Sequence, residues 1–103
     1  MPERQYLLPV RLDTRIRHYH RTESGRVVEF LVQLEIKVAE SWREAIRYDT
    51  AHGFTHIDKY NQKGEARKEV LKLNYSEALT RAERDIKGNW SIYRRRFLRG
   101  GFP

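Results

Sequence analysis

Arg47, Tyr48, Asp49, His52, His56 and Asp58 fall within twelve positions of a 103-residue chain, interrupted only by a turn at Gly53. No other stretch gathers so many groups able to move protons, bind phosphate or hold a metal. Two imidazoles titrating near pH ~6.5 suit RNA cleavage at neutral pH: one removes the 2′-hydroxyl proton and the other protonates the leaving oxygen. An arginine must then stabilise charge on the phosphate. His52 and His56 supply the pair, Arg47 the clamp and Tyr48 an auxiliary donor, and Asp49 or Asp58 holds one imidazole in a single tautomer. This chemistry needs no metal and no cofactor. A purely structural reading stands beside it: Asp49 caps the loop, Gly53 supplies a positive φ, and His52 is an exposed loop residue.

Two further constellations bear on function. His18 and His20, at i and i+2 on a strand, point to one face, a spacing that zinc sites use, with His52 or His56 as a third ligand. The alternative is a pair of ordinary half-buried histidines. Arg94, Arg95, Arg96 and Arg99 alternate with Trp90, Tyr93 and Phe97, whose spacing makes the aromatics a core stripe and the arginines a rim for nucleic acid. Arg15 and Arg17 extend that surface or, equally, form salt bridges with glutamates on the adjacent strand.

Composition narrows the classes. The net charge is +7, arginine outnumbers lysine fifteen to six, and residues 86–103 carry five cations and no acid. An anionic partner is expected, and the guanidinium fork suits phosphate. With no cysteine, disulfides, thiolate metal sites and cysteine nucleophiles are excluded. Met1-Pro2-Glu3-Arg4 lacks a signal-peptide pattern, and the most apolar stretch, residues 27–38, is broken by charges, so no membrane span and a cytoplasmic location are expected. No phosphate-binding glycine loop, dinucleotide fingerprint, serine elbow or HExxH motif is present.

The elements that must position these groups read as an α+β domain spanning residues 1–103. Residues 1–12 form an N-terminal segment or an edge strand. Residues 14–73 form a curved antiparallel meander of about five strands, with turns at residues 23–25, 39–41, 49–53 and 61–64. The strongest signal is Val28, Phe30, Val32, Leu34, Ile36 and Val38 at strict period two, a central strand with one buried face. Alternation places Trp42, Glu44, Ile46 and Tyr48 together on the next strand, and Leu71 and Leu73 point inward on the fifth. Residues 76–99 form one long C-terminal helix, capped by Asn74 or Ser76 and ended or kinked at Gly88.

Arg47-Tyr48-Asp49-Thr50-Ala51-His52, followed by Gly53 and His56, resembles a segment of small uncharacterised bacterial and archaeal proteins. It is also similar to the Arg-Tyr-Asp, then His-containing, segment of TumE-like toxin components of type II toxin–antitoxin modules. Asn89-Trp90 and Tyr93-Arg94 resemble the uncharacterised group too. The resemblance implies a toxin-like protein acting on RNA or translation, held by a cognate antitoxin, with Arg47, Tyr48, Asp49, His52 and His56 as the positions carried over. The sharpest expectation is thus a metal-independent endoribonuclease. Its rivals are a non-catalytic module binding nucleic acid or protein, and an interaction protein that dimerises through an edge strand.

Overall fold

A computed structural model describes residues 2–103. It contains six strands in sequence order, β1 (Glu3–Arg11), β2 (Thr14–Glu23), β3 (Arg26–Val38), β4 (Ser41–Asp49), β5 (Thr55–Tyr60) and β6 (Ala66–Leu71), then one helix, α1 (Tyr75–Leu98). The sheet is an open antiparallel meander in the order β1-β2-β3-β4-β5-β6, with α1 packed on one face. The N-terminal segment is a full edge strand and makes six strands rather than five. Pro9 is tolerated there because an edge residue can do without its ladder hydrogen bond.

The period-two pattern of β3 dictates the rest. Phe30, Val32, Leu34 and Ile36 point toward α1 and are almost wholly buried, together with Ile16, Ile46, Tyr48 and Ile57 from neighbouring strands. From the helix come Ala78, Leu79, Ala82, Ile86 and Phe97. Asn74 caps α1 by accepting a 2.9 Å hydrogen bond from the Glu77 amide. The helix runs unbroken through Gly88, because the aromatic residues beyond it remain anchored to the sheet. Leu73 lies past the end of β6 and is exposed, so only Leu71 of the expected pair is inward. Among the described residues no helix is long and apolar enough to cross a membrane.

One irregularity decides what the helix-free face carries. The β3–β4 ladder slips between Leu34↔Ile46 and Glu35↔Glu44, leaving Ala45 as an extra residue. A bulge reverses the alternation of the strand that contains it. Trp42 and Glu44 therefore share the helix-free face with Arg47 and Asp49, whereas Ile46 and Tyr48 face α1. Simple alternation across Trp42–Tyr48 fails for that reason.

Candidate functional site

The helix-free face is polar but not simply solvated. Gln33, Glu35, Asp49 and Asp58 are each more than nine-tenths buried there. Arg15 Nε donates to Glu35 Oε1 at 2.6 Å and Arg17 Nε to Glu35 Oε2 at 2.7 Å. Gln33 Nε2 donates to the same carboxylate at 2.6 Å, and Arg47 Nε donates to Gln33 Oε1 at 2.7 Å. Arg47 Nη2 donates to Glu44 Oε2 at 2.5 Å, a contact the bulge at Ala45 makes possible. Burial pushes the Glu35 carboxyl up, but the hydrogen bonds from Arg17, Arg15 and Gln33 outweigh it and hold the group below its ordinary value.

This network leads into the cluster on the β4–β5 hairpin. Asp49 and His56 stand opposite each other in the ladder, with His56 Nε2 2.6 Å from Asp49 Oδ1. Asp49 Oδ1 also accepts from the Ala51 amide at 3.3 Å, so the same carboxylate shapes the connecting turn, Ala51–Gly53. Thr50 Oγ1 fixes the other side of that turn by accepting from the Phe30 amide at 3.0 Å. The turn places two consecutive residues in the left-handed region, His52 at φ 71° and Gly53 at φ 86°. Glycine adopts this freely; histidine does so at a cost of about 1 kcal/mol. The His52 ring lies 6.2 Å from the His56 ring, centroid to centroid, and Phe54 flanks His56 at 5.6 Å. Together Arg47, Asp49, His52, His56 and Asp58 line a cleft of about 400 Å³.

Four of the five expected catalytic residues thus meet, and Tyr48 does not join them. Its neighbours in sequence face the cleft, but Tyr48 points through the sheet to α1, is 2 % exposed and donates to Asp85 Oδ2 at 2.5 Å. Burial and that hydrogen bond raise its hydroxyl well above the ordinary tyrosine range. Asp85 also accepts from Tyr93 and from Asn89 Nδ2, making it the polar anchor of the helix on the sheet. Burial and the Asp85 carboxylate push Tyr93 up to about 12. Sequence reading missed Asp85 because a lone aspartate in a helix gives no sign of what lies across from it.

His18 and His20 also lie on the helix side, with His18 Nε2 2.7 Å from His20 Nδ1, Tyr6 stacked on His18 and Glu83 3.8 Å away. They cannot join His52 and His56 on the opposite face. Among the described residues no group of three potential metal ligands converges.

The expected nucleic-acid residues divide. Arg15 and Arg17 are held by Glu35, and Arg94 makes a bidentate contact with Asp13, its Nη2 2.7 Å from Oδ2. Arg94 is the main reason Asp13 sits below the ordinary carboxylate range. Arg95, Arg96 and Arg99 are exposed and in no ion pair among the described residues. Arg81 and Arg84, two residues the charge count at the C-terminus overlooked, share that state. Helical spacing puts Arg81, Arg84, Arg95 and Arg99 on the side of α1 turned away from the sheet, with Gly88 between them.

The whole chain, residues 1–103, matches the family described as Domain of unknown function (DUF7718), and it belongs to that family. No curated protein and no solved structure matches it.

Proposed function

We propose that this member of the family binds nucleic acid, RNA foremost, along the outer face of α1, and that it does so without cleaving it. The observation that carries the reading is that five exposed arginines without a carboxylate partner gather on α1 and its C-cap, whereas the others that lack one among the described residues, Arg4, Arg26, Arg43 and Arg67, are spread over four different strands. Arg11, Arg15, Arg17, Arg21, Arg47 and Arg94 all have carboxylate partners. The exposed arginines of α1 and its C-cap, Arg81, Arg84, Arg95, Arg96 and Arg99, have none among the described residues. Arg81 to Arg95 spans about 21 Å of helix, enough to track several phosphates of a single strand. Unpaired guanidinium groups release counterions when they meet phosphate, and this drives association.

The hairpin cleft supports cleavage poorly. The Arg47 charge is already met by Glu44, and the cleft presents three carboxylates, Asp49, Asp58 and Glu69, against Arg47 and Lys68. Such a balance repels phosphate. His56 spends Nε2 on Asp49, and its Nδ1 is sealed from solvent.

Binding of a labelled single-stranded RNA, followed by fluorescence anisotropy, tests the proposal. The wild type should bind at low salt. A variant with Arg81, Arg84, Arg95 and Arg99 changed to alanine should lose that binding while keeping its fold, because all four side chains are exposed. Equal affinity of the two proteins would refute it.

A second reading, the toxin-like endoribonuclease with a cognate antitoxin in the cytoplasm, is favoured by one observation: His52 is exposed beside His56 at the mouth of a shared cleft. RNA incubated with wild type and with His52→Ala, with and without EDTA, separates the two. Background cleavage throughout is the expected outcome; cleavage that persists in EDTA and vanishes in the variant would establish the enzyme.

A further inference from the structure

We infer that Lys59 and Arg67, directly opposite each other on β5 and β6, form with Arg96 a subsite for one phosphate of an RNA strand, where that strand passes from the end of α1 to the sheet. The subsite rests on the nucleic-acid reading above and adds a second wall to it.

Register places the two strand cations. Lys59 stands opposite Ile46 on one side and Arg67 on the other. Ile46 faces α1, and partners across a ladder share a face, so Lys59 and Arg67 face α1 as well. Like charges directly opposite each other destabilise a sheet. Neither cation has a carboxylate partner among the described residues. Glu69, two positions along β6, makes no ion pair with Arg67, and the oxygens of Asp85 accept from Tyr48, Tyr93 and Asn89. Each cation lies over an aromatic ring instead. Lys59 Nζ is 5.7 Å from the centre of the Tyr93 ring, and the Arg67 guanidinium carbon is 4.1 Å from that of Phe102. A ring face holds a cation in place and leaves its charge uncancelled, where a carboxylate would neutralise it. An anion seated between the two turns their repulsion into attraction, and a phosphate has oxygens to accept from both.

The pair is fixed beside the end of the helix. Gln62, in the β5–β6 turn, donates through Nε2 to the carbonyls of Phe97 at 2.8 Å and Leu98 at 3.2 Å. The positive field of Arg96 and Arg81 reaches the Tyr93 hydroxyl on this same flank. On the other flank of α1 the cations are matched: Lys87 lies 3.8 Å from Glu83, and Arg94 is held by Asp13. A strand leaving the outer face of α1 therefore meets uncancelled positive charge toward β5–β6 and paired charge toward β1–β2.

The test is anisotropy of a labelled single-stranded RNA at low salt with Lys59→Met, which keeps the stem and removes the charge, with Arg67→Gln, and with Lys87→Met as the control on the opposite flank. Lys59→Met and Arg67→Gln should each weaken binding about tenfold, the scale of one hydrogen bond between charged groups. Lys87→Met should bind as the wild type does. Without RNA, urea midpoints of Lys59→Met and Arg67→Gln should equal or exceed that of the wild type, because an opposed like charge is gone. Unchanged affinity in both variants would overturn the subsite, and so would a loss in Lys87→Met as large as theirs. Arg67 is exposed, so Arg67→Gln keeps the test decisive if Lys59→Met fails to fold. The four-alanine variant of α1 separates the two claims. Binding lost there and unchanged in Lys59→Met and Arg67→Gln overturns the subsite and keeps the α1 face. The reverse pattern overturns the α1 face and keeps the subsite, and a wild type that binds no RNA overturns both.

Discussion

His56 Nε2 and Asp49 Oδ1 lie 2.6 Å apart, directly opposite each other in the β4–β5 ladder, and the same oxygen accepts from the Ala51 amide. One carboxylate thereby orients the His56 ring and shapes the turn. In an acid–base site this would be an orienting contact; here it also closes the hairpin.

Asp49→Asn should therefore be a stability mutation. The residue is buried, and the change replaces a charge-assisted contact with a neutral one, so a loss of about 1–3 kcal/mol is expected. Urea denaturation of the two proteins measures it. Affinity for RNA should not change, because Asp49 is on the face away from α1.

Tyr48→Phe removes the 2.5 Å hydrogen bond to Asp85 and keeps the ring in the core. We expect a loss of about 1.5–3 kcal/mol, the range for a bond to a charged group. If Tyr48 took part in chemistry, RNA cleavage would change as well; we expect none to be detected in either protein.

Acid should weaken the fold through His18. Burial holds its imidazole below the ordinary value, so the folded state binds the proton less readily than the unfolded chain. Its contribution is fully present above the unfolded value of about 6.5 and is lost as pH falls through the lower folded value. Denaturation midpoints from pH 7.5 downward should fall in the wild type and fall less steeply in His18→Gln. Asp13, Glu29 and Glu35, all held below their ordinary values, add a second loss at more acidic pH in both proteins.

Gly88→Ala should stabilise the protein. Gly88 lies inside α1, and a Cβ there would meet nothing within 4 Å. The gain expected from helix propensity is about 1 kcal/mol, seen as a higher melting temperature.

The α+β class, the meander and the length of α1 were legible because they rest on periodicity: the unbroken alternation of β3 and the i, i+3, i+7 spacing of Leu79, Ala82 and Ile86. The grouping of Arg47, Asp49, His52 and His56 was legible because a hairpin must return the chain beside itself. The role of Tyr48 was not, since adjacent strand residues face opposite ways and only its parity relative to β3 reveals the side. Glu44 was misplaced because nothing in the sequence marks the bulge at Ala45. Which arginines are free was equally hidden: Arg94 finds Asp13 from 81 residues away, and Arg15 and Arg17 converge on one glutamate. Such partners are fixed by register and packing, not by local pattern.

The central claim is that the outer face of α1 binds nucleic acid through its unpaired arginines, and the salt dependence of RNA affinity tests it most directly. For single strands the slope of log K against log salt is about −0.7 per phosphate neutralised, so four arginines predict a slope near −3. Arg81→Ala combined with Arg95→Ala should roughly halve it, at equal fold stability. A slope identical in the wild type and the double variant, or no RNA binding at low salt, would contradict the account.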